Sequence, residues 1–261
     1  MMALTTEETY KMKWALLSDI HANQQALQAC MTHAQTQGVE KWAVLGDMVG
    51  YGADPCAVLE TIMALHDKGA VVLQGNHDAM AVSPPQAEGS LGAVTAAWTY
   101  QQLAPAYRRF LAHAPLTQRV GHMLLVHASA HQPKDWRYID NERSAQQCLD
   151  AASKEEAHTH VFVGHVHHQS LYYQGSGRGL MSFVPTPGVP VPVMRHRSWI
   201  ATVGSVGQPR DGDTRAMYAI YDDTASRITF HRVAYDHAAA ANAIRRAGLP
   251  EYFASRLEEG R

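Results

Sequence analysis

Residues 14–23 read Trp-Ala-Leu-Leu-Ser-Asp-Ile-His-Ala-Asn. The apolar run 14–17 has the length and composition of a buried strand. It ends abruptly in Ser18 and Asp19, with His21 two positions on. The next stretch, 22–37, places Ala26, Leu27, Cys30, Met31 and Ala34 at helical spacing, and Gly38 suits the turn that ends such a helix. The pattern then recurs. A second apolar run at 42–45 ends in Gly46-Asp47. Asp54-Pro55 opens a helix to about residue 68. A third run at 70–73 ends in Gly75-Asn76-His77-Asp78. Strand, helix, strand, helix, strand predicts parallel strands with right-handed crossovers.

Further along, 89–112 reads as helix broken at Pro105. Runs 116–120 and 123–126, joined by Gly121-His122, read as a hairpin. Helix is expected at 144–157 and a strand at 161–163, ending in Gly164-His165-Val166-His167. Strand-like pieces follow at 170–173, 181–184, 199–203, 216–221 and 227–233. Helix returns at 236–256, with a stop near Gly248 and Pro250. The four prolines of 185–192 read as a stiff surface connection. One domain over 1–261 is expected, with its core at about 13–233 and helices at 236–258.

Composition narrows the function. The chain has 261 residues, 46% of them hydrophobic, which is enough for a core. The formal net charge of -2 argues against a long nucleic acid as partner, which would call for a basic excess. Three scattered cysteines, Cys30, Cys56 and Cys148, make neither a disulfide framework nor a thiolate zinc site. Residues 1–10 lack the apolar segment of a signal peptide, and no run approaches a membrane span. A cytoplasmic protein with no membrane partner is expected.

The 16 histidines are the unusual feature. Asp19, His21, Asp47, Asn76, His77, His127, His165 and His167 each follow an apolar run, and the C-terminal edge of parallel strands is where such sheets place their sites. In an extended segment residues i and i+2 point the same way. On that reading Asp19 and His21 can share one ion, and so can His165 and His167. Asp47 has two oxygens and can bridge two ions. Gly46, Gly75 and Gly164 precede candidate ligands and permit close backbone approach. Carboxylate, imidazole and amide oxygen suit borderline divalent metals. Two ions about 3.5–4 Å apart clamp a phosphate and activate a bridging water.

With those residues set out, the chain resembles the calcineurin-like metallophosphoesterase superfamily. The motifs that carry the resemblance are LSDIHAN (17–23), GDMVGYG (46–52), GNHD (75–78), VHAS (126–129) and GHVH (164–167). The stretch GSVGQPRDGDTRA (204–216) is similar to a compact bacterial branch related to diadenosine tetraphosphatases and YfcE-type phosphodiesterases. The resemblance implies a four-layer α/β/β/α sandwich of two mixed sheets flanked by helices. It implies two divalent or mixed-valence ions, drawn from Mn, Fe, Zn, Ni and Co. One would take Asp19, His21 and His167, the other Asn76, His127 and His165, with Asp47 bridging. His77 would face the substrate and protonate the leaving oxygen or stabilise the phosphoryl oxygens. The implied activity is hydrolysis of a small phosphodiester, phosphomonoester or nucleotide by a metal-bridging hydroxide. The alternative is a non-catalytic metal-binding scaffold or protein-interaction subunit on the same fold.

The sequence also departs from a pattern. Protein Ser/Thr phosphatases of the superfamily carry Asp and Arg where this chain has Gly50 and Tyr51, which argues against a protein substrate. Asp54 and Asp78 are then the candidates to orient His77. Arg210, in a Gly- and Pro-rich loop, is a candidate phosphate grip. Tyr51 is a candidate to stack on a base or leaving group, and His131 a candidate pocket residue. His160 is expected at the surface.

Overall fold

The computed structural model describes residues 12–86, 90–154, 159–175 and 179–261. The readings made at residues 1–10, at Gly89 and at the helix end 155–157 lie outside them. The strands are β1 (Lys13–Leu17), β2 (Lys41–Val44), β3 (Val71–Val72), β4 (Thr117–Val120), β5 (Met123–Val126), β6 (His160–Val163), β7 (Gln169–Gln174), β8 (Leu180–Phe183), β9 (Pro190–Pro192), β10 (Trp199–Val203), β11 (Ala216–Asp222) and β12 (Arg227–Val233). The helices are α1 (Gln24–Thr36), α2 (Pro55–Asp67), α3 (Asn76–Val82), α4 (Leu91–Gln102), α5 (Pro105–His113), α6 (Glu142–Ala152), α7 (His237–Arg246) and α8 (Glu251–Glu259).

Two mixed six-stranded sheets result, ordered β3-β2-β1-β11-β12-β9 and β4-β5-β6-β10-β7-β8. Strands β1, β2 and β3 run parallel, and so do β5, β6 and β10. The period-2 alternation of β1 explains the layering. Trp14 and Leu16 face the second sheet and pack with Leu125, Phe162 and Phe230. Ala15 and Leu17 face the other way, under Leu27, Cys30, Leu59 and Ile62 of α1 and α2. On the far side, Leu124, Val161 and Ile200 meet Ala145, Cys148 and Leu149 of α6. Helix, sheet, sheet, helix is therefore the order of layers. Leu16 is fully buried between the sheets, and Leu16→Ala would cost about 2–5 kcal/mol.

Three local differences from the sequence reading have physical causes. Helix α1 starts at Gln24 rather than residue 22, because the Asn23 side chain accepts from Ala26 N–H at 3.1 Å and sets the cap there. Helix α3 begins at Asn76, inside the Gly-Asn-His-Asp stretch, where the sequence reading ends the third run and expects no helix. Asp78 accepts the Gly75 N–H at 2.9 Å and closes that first turn. The proline-rich connection contains β9, an edge strand paired to β12, the position in a sheet where proline is tolerated. The three cysteines are free. Among the described residues no helix is long and apolar enough to cross a membrane.

Candidate metal centre and active site

The site lies where β1, β2, β3, β5 and β6 end. Each strand leads into a stretch that carries polar side chains, and after β1, β2 and β6 the turns have left-handed backbone. Asp19, His21, Asp47, His165 and His167 all have φ between 49° and 66°. Such residues cost energy and persist where the surroundings hold them. Here the turns brace each other. Asp19 N–H donates to Gly46 O at 3.1 Å, His21 N–H to Asp47 O at 3.0 Å, and His165 N–H to Asp19 Oδ2 at 2.8 Å. Two glycines allow the approach. A Cβ at Gly75 would stand 2.2 Å from Asp47 Oδ1, and one at Gly164 would stand 1.8 Å from Ser18 Oγ.

Two buried groups with metal-ligand character emerge. One is Asp19, His21 and His167; the other is Asp47, His127 and His165. Asp47 Oδ2 lies 3.4 Å from His127 Nε2 and 3.9 Å from His21 Nε2, so the same carboxylate reaches toward both groups. Asn76 joins the second group, with its Oδ1 3.1 Å from His127 Nε2. Asp19 and His21 do share a group. His165 and His167 do not, contrary to the extended-segment reading. Their backbone turns, with Val166 N–H donating to Gly164 O at 2.7 Å, and the two rings go to different groups.

The donor chemistry fits metal ions. His21, His127 and His167 each use Nδ1 to donate to a carbonyl, of Val49 at 3.3 Å, Leu45 at 2.7 Å and Gln208 at 2.6 Å. A carbonyl only accepts, so each Nδ1 carries the proton and each Nε2 turns to the cluster, as in metal-ligating histidines. His21 Nε2 and His167 Nε2 then face each other at 3.1 Å. His165 Nε2 is buried with no hydrogen-bond partner. Two lone pairs at that distance repel unless a cation lies with them.

The electrostatics agree. Burial alone would raise the pKa of Asp19 and Asp47, yet both are held below the usual carboxylate range, Asp19 by His167 and Asp47 by His127. Burial works to lower the His127 pKa, but Asp47 overrides it and lifts that pKa to about 9. The cluster draws positive charge. His21 and His165 go the other way, pushed down by burial, His165 to about 4, so both are neutral donors.

His77 stands over this floor on the first turn of α3. Its N–H donates to Asp47 Oδ1 at 2.8 Å. Its ring packs 4.2 Å from Tyr51 and 5.1 Å from His21, centroid to centroid. Its Nδ1 is buried against Gly50 and has no hydrogen-bond partner. Neither Asp54 nor Asp78, the sequence candidates, orients it through that atom. The Asp78 carboxylate accepts from Met48, Val49 and Gly75 N–H, clamping the Asp47 turn to α3. Burial, and next to it Asp47, raises the Asp78 pKa to about 7. Asp54 stands at the N-cap of α2. Gly50 explains part of this: at φ +90° a Cβ there would lie 2.9 Å from His77 Nδ1, so the ring fills the space a side chain would need.

These geometric facts are matched by comparison with known proteins. Residues 12–225 match the calcineurin-like phosphoesterase superfamily domain. The chain belongs to that family. It is 30% identical over 253 residues to the uncharacterized protein MJ0912 of Methanocaldococcus jannaschii, covering 95% of this chain and 98% of that one. A crystal structure of a metallophosphoesterase from Sphaerobacter thermophilus superposes with a TM-score of 0.83 at 34% identity, over 96% of this chain and 99% of that one. The fold is shared with hypothetical protein PH1004 from Pyrococcus horikoshii, at 20% identity and TM-score 0.75, over 95% and 98% of the two chains. A phosphoesterase family makes hydrolysis the general class of chemistry for this site.

The remaining candidates have these places. Tyr51 stacks on Phe253 of α8 and packs at a tilt against His77, so it is a partly buried wall of the site, and desolvation pushes its pKa up to about 12. Arg210 lies beside the Tyr51 hydroxyl and donates twice to Gln208 Oε1, at 3.2 and 2.9 Å. The Gln208 carbonyl is the one that holds His167. His131 bonds back to Ser129 Oγ through its N–H. His160 is buried, not exposed, at the start of β6. Sequence reasoning missed Phe253, Trp136 and Tyr138. The pair of aromatics spaced two apart in the loop after the His127 motif was the available signal for the last two.

Proposed function

We propose that this protein hydrolyses a small phosphodiester, phosphomonoester or nucleotide with two metal ions held by its buried acid–imidazole groups. The observation that carries the reading is Asp47, whose Oδ2 lies 3.4 Å from His127 of its own donor group and 3.9 Å from His21 of the other. Asp19, His21 and His167 would hold one ion and Asn76, His127 and His165 the other, with Asp47 serving both. Manganese, iron, zinc, nickel and cobalt all suit such donors. When bound, the ions neutralise phosphate charge and lower the pKa of water.

The protein's own residues do the rest. His77 is fixed by its backbone bond to Asp47 and by the Tyr51 ring. With Nδ1 turned into the protein, Nε2 is the atom that meets substrate. It delivers a proton to the leaving oxygen or bonds the phosphoryl oxygens. Arg210, held by Gln208 at the rim, grips a phosphate oxygen. Tyr51 occupies the position at which the related protein phosphatases have arginine, and it supports His77 rather than binding phosphate.

The test is hydrolysis by the manganese-loaded protein of a phosphomonoester, a phosphodiester and diadenosine tetraphosphate, each at matched concentration. A preference of about tenfold, or 1.4 kcal/mol, assigns the reaction class. His77→Ala is expected to keep both metals and lose roughly 10²–10⁴-fold in rate. Wild-type turnover by that variant would remove His77 from the mechanism.

A further inference from the structure

A cavity of about 450 Å³ opens directly against the second donor group. Asn76 and His165 form its inner end, and Met80, Trp136 and Tyr138 form much of its wall. Among the described residues no Asp, Glu, Lys or Arg lines it. The Tyr138 ring lies flat on His165, with centroids 4.1 Å apart at 22°, and the residue is 52% exposed. The Trp136 ring stands edge-on to His127 at 5.8 Å. Trp136 is held there by unusual backbone. Gln132 at φ 53° and Trp136 at φ 52° bracket the short 3-10 turn Pro133–Asp135. A bulky residue in the left-handed region is an outlier, and such outliers collect at sites that bind or react. The rim beside His167 differs: there Arg210 supplies positive charge next to the Tyr51 hydroxyl.

We propose that this cavity is the subsite for the base of a nucleotide. The proposal rests on the phosphoester reading above and names its substrate class. The chemistry that would be recognised is a planar aromatic ring joined to the scissile phosphate. Aromatic side chains with open faces beside a phosphate site bind such rings by stacking, and they do so without base-specific hydrogen bonds. Size separates the two possible sources of the ring. A cavity of roughly 150 Å³ takes benzene, and small-molecule pockets run to about 300–1,000 Å³. At 450 Å³ the space suits a base with its sugar better than a lone aryl group. Arg210, on the other rim, would then meet the phosphate end, so the substrate lies across the site from aromatic to basic side.

Titration calorimetry of the manganese-loaded protein with the phosphonate analogues of adenosine 5′-monophosphate, phenyl phosphate and ethyl phosphate, which have no ester bond to hydrolyse and stand in for their parent esters, tests this without turnover. The nucleotide is expected to bind about tenfold tighter than ethyl phosphate, with phenyl phosphate between them. In Trp136→Ala and in Tyr138→Ala the ratio of nucleotide to ethyl phosphate affinity should fall toward one, and Trp136→Phe should restore most of it. Tyr138 is half-exposed, so its variant keeps the comparison valid even where Trp136→Ala folds poorly. Equal binding of all three phosphates, or a ratio unchanged in both alanine variants, would overturn the subsite. Phenyl phosphate binding as tightly as the nucleotide would overturn the nucleotide assignment in favour of an aryl ester. A preserved nucleotide preference with no hydrolysis of any phosphoester would leave the subsite standing and remove the hydrolase reading instead.

Discussion

Strands β5 and β6 carry a histidine at both ends. At their starts are His122 and His160, with ring centroids 4.7 Å apart. Beyond their C-terminal ends are His127 and His165, 5.0 Å apart. The spacing, the strands and the edge-to-face ring contact are alike, yet the chemistry differs. At the start, the Tyr221 hydroxyl donates to Asp223 Oδ1 at 3.0 Å and lies 2.8 Å from His122 Nε2 and 3.2 Å from His160 Nδ1. Arg195 neutralises Asp223 at 2.7 Å. The charge there is closed within the protein. At the other end Asp19 and Asp47 are buried, and among the described residues their ion pairs are to histidines. The lesson is that buried histidines by themselves do not make a metal centre. Buried carboxylates that lack an arginine partner and meet inward-facing Nε2 atoms build the donor groups seen at the other end.

The comparison breaks most easily at Asp47. Asp47→Asn removes the charge that both donor groups share. Metal content by mass spectrometry should fall, and hydrolysis should drop about 10³-fold, in line with the several kcal/mol that metal charge stabilisation supplies. Full activity with full metal would end the shared-carboxylate reading. Metal removal is the next largest effect. Chelation of the loaded protein should lower its melting temperature by about 5 °C or more, since a ligand at 100 times its Kd adds about 2.7 kcal/mol. Asp47→Asn should show little of that shift, whereas His160→Phe should show all of it.

Acid sharpens the contrast at the other end. Burial first, and then His122, lowers the His160 pKa from its ordinary 6.5 to about 4. The unfolded chain therefore takes up this proton before the folded one does. The His160 contribution is fully present above pH 6.5 and is lost as pH falls toward 4. By pH 5 the loss is on the order of 2 kcal/mol. The groups that face it, His122, Tyr221, Asp223 and Arg195, share the network. Denaturant unfolding at pH 7 and pH 5 should show a smaller difference for His160→Phe than for wild type. An equal difference would place the titration elsewhere. The smallest effect is expected for Tyr221→Phe, which deletes one buried hydroxyl. It should cost about 1–2 kcal/mol of stability and leave both metal content and hydrolysis within twofold of wild type.

Some of this was legible in the chain and some was not. The alternation of apolar runs with helical spacing marked β1, α1, β2, α2 and β3, because burial repeats at fixed local periods. The ends of those runs marked Asp19, His21, Asp47, Asn76, His127, His165 and His167, because each follows its strand directly. The i, i+2 rule holds for extended backbone, and both pairs are left-handed: Asp19 and His21 share a group and His165 and His167 do not, so tertiary packing and not spacing assigned them. His160 reads as surface because it precedes an apolar run, and it is buried because His122, Met194 and Tyr221, the last from a strand of the other sheet, meet it.

Which residue types stand at the strand ends follows from periodicity and side-chain chemistry, which are local properties of the chain. How the donors divide into two groups, that Asp47 of one reaches toward the other, and that Phe253, some 200 positions along the chain, backs Tyr51 against His77 all depend on long-range packing. It alone brought Trp136 and Tyr138 to the wall beside His165. Those are contacts across sheets and loops, fixed by packing and by turns that brace one another, and no short window of sequence carries them.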